Sequence, residues 1–150
     1  MVLRTAEALP ALFESDETAW LESMAELIRQ GRYADLDYGH LQEYLSDMAR
    51  RDKREVQSRL ATLIAHLLKW TFQVENRAGG WRATIVVQQQ ELESLLESGV
   101  LRNHALEILP RAYARGRDQA LAETGLAADK IPLECPYTLE QLLAKDIDSE

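Results

Sequence analysis

His66, Lys69 and Trp70 fall inside one short run, LIAHLLKW, and Trp81 and Arg82 follow the turn ENRAGG. Arg59 stands seven residues before His66. On a helix, residues seven apart lie almost on one line, and residues three or four apart are neighbours. Arg59, Thr62, Leu63, His66, Lys69 and Trp70 therefore share one side. The types suit acid–base work by an imidazole, with a guanidinium to steady an anion. Tryptophan faces beside lysine and arginine also suit an aromatic–basic binding spot.

Two readings of Arg59 and His66 compete. The gap of six residues matches the loose R-x4–6-H spacing of HEPN-type ribonucleases, which makes the pair candidate catalytic residues. That pattern favours a polar residue after the arginine, where this chain has Leu60. The alternative is a structural polar cluster of Glu43, Asp47, Arg59 and His66, with His66 bonded to a carboxylate of an adjacent helix. Lys69, Trp70, Trp81 and Arg82 form the candidate binding group. Lysine near a helix end suits the exposed carbonyls, and the two tryptophans can flank the turn with Arg82 stacked on an indole. Amides after Gly79 and Gly80 add an anion or nucleotide site as a second alternative.

Other chemistry finds little support in the residue pattern. His40, His66 and His104 have no metal-ligand spacing, so no metal and no cofactor is expected. The phosphate-loop, dinucleotide and nucleophile-elbow motifs are missing. Cys135 is the lone cysteine, which rules out an intramolecular disulfide and fits a reducing cytoplasm. Without a base nearby in sequence, it reads as a buried structural thiol.

The elements that must position these groups are helical. Ser15 or Asp16 starts a first helix ending before Gly31, with Trp20, Met24, Leu27 and Ile28 on one face. Residues 1–14 read as a flexible or loosely packed segment. Asp37 caps a second helix with the stripe Leu41, Tyr44, Leu45 and Met48. The run ARRDKRE leaves open whether it continues or breaks near Arg50. A third helix carries Val56, Leu60, Leu63, Ile64, Leu67 and Leu68 to about Val74. The paired glycines then make a turn. A fourth helix runs from near Trp81 to near Gly99, and a fifth from about Leu101 to Thr124, with a kink or restart at Pro110. Ala112, Gly116 and Ala120 give that helix a small-residue packing face. An extended tail precedes Thr138 and Gln141, a capping box that opens a short last helix. The 150 residues are expected to form one all-α domain, an antiparallel bundle of five or six helices.

Charge is unevenly distributed around a net of −8. Residues 1–49 carry −7, residues 50–90 carry +5 and residues 91–150 carry −6. These blocks neutralise one another if they pack together. Overall acidity argues against broad nucleic-acid binding, while the basic 50–90 segment leaves room for a local patch. No apolar run approaches the roughly 20 residues that span a bilayer, and no signal peptide is evident.

The segments GRYADLDYGHLQEYL, RLATLIAHLLKW, WRATIVVQQQELESLL and ETGL…IPLECPYTLEQLL together resemble the bacterial family called domain of unknown function twenty-nine. The resemblance covers about Trp20 to Leu143. It implies a compact, all-helical cytoplasmic protein without an agreed activity. Its recurrent positions map onto Glu43, Arg59, His66, Lys69, Trp70, Trp81, Arg82, Cys135 and Pro136. Pro110 and the pair Gly79-Gly80 depart from that pattern. The resulting expectation is a non-enzymatic protein-interaction or self-associating module, dimeric if it self-associates. A ribonuclease or toxin-type enzyme is the alternative, and with it a toxin–antitoxin association.

Overall fold

Amphipathic spacing becomes six α-helices in the computed structural model, which describes residues 8–144. They are α1 (Leu9–Ser15), α2 (Glu17–Arg29), α3 (Tyr38–Phe72), α4 (Gly79–Leu95), α5 (Gly99–Thr124) and α6 (Leu139–Leu143), with no strand among the described residues. None of these helices is long and apolar enough to cross a membrane. The expected all-α helical bundle is thus the observed architecture. Two compact units divide the chain between Arg50 and Arg51.

The first unit is built around Leu9, Leu12, Trp20, Met24 and Leu27. Residues 9–14 depart from the loose segment expected there, since Leu9 and Leu12 are buried and bring α1 into this core. Burying these two leucines contributes about 1.5–3 kcal/mol each against the cost of ordering a seven-residue helix. Asp16 then caps α2 by accepting the Ala19 amide at 3.1 Å. Ile28 and Leu45, expected on buried stripes, are exposed at the margins of theirs.

The charged run ARRDKRE does not break the chain: α3 is one helix of 35 residues. The run's Ala, Arg, Lys and Glu residues propagate a helix well, and no Gly or Pro interrupts them. Asp37 caps its start, accepting the His40 amide at 3.4 Å.

In the second unit, Leu60, Leu63, Ile64 and Leu68 of α3 pack with Ile85 and Leu92 of α4, and with Ala105, Ala112 and Tyr113 of α5. Arg59 reaches Gln88 of α4 while Lys69 meets Trp81, so α3 and α4 run antiparallel. Gly116 meets Ala61 and Ile64 while Glu123 meets Lys69, so α3 and α5 run parallel. The small-residue face permits that approach. A Cβ at Gly116 would lie 2.7 Å from the Ala61 carbonyl oxygen.

Three local expectations change. The two glycines open α4 as its first turn, rather than forming a separate turn before Trp81. Helix α3 ends at Phe72, and a 3-10 turn at Val74–Asn76 carries the connection. No restart occurs at Pro110, because α5 runs through it. Ile108, Ala112 and Tyr113 on either side are buried, and that packing outweighs the hydrogen bond proline removes. Thr138 and Gln141 form the capping box of α6 as read from the sequence.

Candidate functional site

Lys69 lies at the centre of the polar corner in the second unit. It occupies the last turn of α3, yet the residue is only 5% exposed. A buried ammonium is costly unless paired. Here it donates to the Glu123 carboxylate of α5 and stands 5.1 Å from the Trp81 ring centroid. Three helices thus contribute to one ionic and aromatic contact. Gln119 donates a second hydrogen bond to Glu123, at 3.1 Å. The Lys69 hydrogen bond is the main reason the Glu123 carboxyl is held below its ordinary range, with Gln119 adding to it against a smaller burial penalty.

His66 lies one turn earlier on α3 and is half-buried. Its Nδ1 bonds the Thr62 carbonyl at 2.9 Å, so that nitrogen is the donor. The imidazole also lies near enough to Glu123 to favour its charged form. Arg59 points elsewhere. Its Nε donates to Glu55 at 3.0 Å, one Nη donates to Gln88 at 3.2 Å, and the other lies 3.9 Å from Glu91. The two catalytic candidates share no acceptor.

The expected cluster divides between the units, with Glu43 and Asp47 in the first and Arg59 and His66 in the second. Asp47 pairs with Arg50 at 3.0 Å.

The tryptophan pair takes a different form from the one expected. Arg77, from the turn before α4, stacks 4.3 Å from the Trp70 ring centroid and donates to the Trp70 carbonyl at 3.0 Å. Trp81 receives Lys69. Arg82 is exposed and has an interaction within the chain. Trp70 Nε1 is buried without a hydrogen-bond partner among the described residues. Gly79 and Gly80 are exposed, and Ala78 before them supplies no side-chain cap.

Cys135 is half-buried, with its thiol 3.4 Å from the Tyr137 carbonyl. Burial raises its pKa, which makes it a poor nucleophile. Among the described residues, no three His, Cys, Asp or Glu side chains group closely enough to hold a metal ion.

Several positioning residues escaped the sequence reading. Buried Gln89 of α4 donates to the Leu142 and Ala144 carbonyls, at 3.0 and 2.7 Å, and so holds the end of α6. Arg117 donates to the Ala128 and Ile131 carbonyls, and Tyr113 to that of Pro132. These bonds strap the extended tail along α5. The partners lie 11 to 55 residues away in sequence, so no local signal marks them. Glu123 had a weak one, an acidic residue near the C-terminus of a helix, where the dipole does not favour it.

No curated protein and no solved structure matches the chain. The family model described as domain of unknown function DUF29 matches residues 12–147, which begin within α1 and include α2 to α6. The chain belongs to that family.

Proposed function

We propose that this protein is a non-enzymatic helical module that acts through protein contacts, foremost with a second copy of itself. The observation that carries this reading is the outer face of α4. Ala83, Val86, Val87 and Gln90 are all exposed there, at helical neighbour spacing and with no charged residue between Ala83 and Gln90. Single exposed apolar residues are ordinary, but a continuous uncharged stripe is less so. On a chain of net charge −8, it is a face where like-charged copies meet with little repulsion. The Lys69 corner complements this picture, since its ionic groups are already occupied within the fold.

The reading includes a cytoplasmic address in a bacterium, based on the lone cysteine and the family resemblance. Light scattering across a concentration series tests it. The expected result is a mass rising above 17.1 kDa, with Val87→Lys shifting the equilibrium to monomer by tenfold or more, on the order of 1.4 kcal/mol. A strict monomer that captures no partner overturns it. RNA cleavage lost in a folded His66→Ala variant would favour the enzymatic alternative. Thermal stabilisation by phosphate-bearing ligands would instead point to the Gly79–Arg82 turn.

A further inference from the structure

His40 belongs to the first unit, apart from the Lys69 corner. Its Nδ1 lies 2.7 Å from Asp37 Oδ2, and its Nε2 lies 3.7 Å from Glu14 Oε1 at the end of α1. The ring stacks on Phe13 of α1, centroids 4.3 Å apart and planes inclined by 23°. Phe13 in turn meets Trp20 edge-on at 4.8 Å. Asp37 Oδ2 also accepts the Trp20 indole N–H at 3.2 Å. The charged groups facing His40 among the described residues are therefore Glu14 from α1 and Asp37 from the start of α3. From α2 comes only Trp20, and from α3 itself Tyr44 lies beside that indole.

The two ring nitrogens have different consequences. Neutral His40 still donates Nδ1–H to Asp37, which leaves a lone pair on Nε2 facing the Glu14 carboxylate. Protonation places a proton on Nε2 and turns that contact into an ion pair. It also gives the stacked ring a charge that the Phe13 face attracts. Protonation also makes the 2.7 Å Asp37 contact an ion pair at the cap of α3, while the Glu14 and Phe13 gains are the ones that bear on α1. We propose that His40 is a pH-responsive latch that tightens the hold of α1 on the first unit when it is protonated. Imidazole is the side chain suited to such a device near neutral pH. Asp37 stays ionised throughout: burial opposes its charge, but the His40 and Trp20 hydrogen bonds together hold its pKa below the ordinary value.

NMR titration of the full chain tests the latch. The α1 amides from Leu12 to Ser15 are expected to move with the His40 ring signals. Glu14→Gln should lower the His40 midpoint, because it removes the carboxylate facing Nε2, and shrink the α1 response. His40→Gln should abolish that response. An unchanged midpoint in Glu14→Gln, or α1 amides that ignore His40, overturns the proposal. Glu14 has an exposed side chain, so its variant decides the matter even if His40→Gln does not fold.

Discussion

Lys69 shows how one residue type can read as chemistry and act as architecture. In sequence it sits beside His66 and Trp70 as though for a ligand, yet Glu123 and the Trp81 ring enclose it. Its partner remains accessible, with the Glu123 side chain 44% exposed, which limits the worth of the pair. Glu123→Gln is expected to cost about 1–2 kcal/mol at neutral pH, below the usual cost of breaking a fully buried pair. Urea denaturation measures it. The pH dependence follows from the depressed carboxyl. A group whose folded pKa lies below its unfolded value stabilises the fold above the unfolded value and loses that effect as pH falls through the folded one. Wild-type stability should therefore decline from about the ordinary glutamate value of 4.5 downward, and Glu123→Gln should flatten that decline.

At the scale of elements, the second unit depends on how closely α3 and α5 can approach. Gly116 sets that distance, because a Cβ there would meet the Ala61 carbonyl oxygen at 2.7 Å and Ile64 Cγ2 at 2.8 Å. The backbone oxygen cannot rotate away. Gly116→Ala is expected to destabilise by roughly 1–3 kcal/mol, the usual cost of overpacking, despite alanine's better helix propensity. A lowered denaturation midpoint with unchanged slope would register it. The repeat of Ala112, Gly116 and Ala120 was legible in sequence as a packing face. Its partner was not, since parallel pairing of α3 with α5 leaves no mark in either helix. The same holds for Gln89, an ordinary glutamine until α6 brings its carbonyls within reach.

At the scale of the whole molecule, charge and apolar exposure act in opposite directions. A net charge of −8 pushes copies apart, whereas the α4 stripe draws them together. Screening should therefore strengthen self-association: raising salt from about 20 to 300 mM shortens the Debye length several-fold. Light scattering should show a higher mean mass at the higher salt; an association built on ion pairs would weaken instead. Sequence periodicity alone determined that the chain is helical, that Leu60, Leu63, Ile64 and Leu68 face inward, and where Thr138 and Gln141 open the last helix. Those features depend on neighbours within a turn or two. Tertiary structure decided the rest: that Pro110 stays within α5, that Leu9 and Leu12 bury α1, and that Lys69 belongs to Glu123. Each of these turns on the free energy of packing between residues distant in sequence, which outweighs weak local preferences and leaves no local trace.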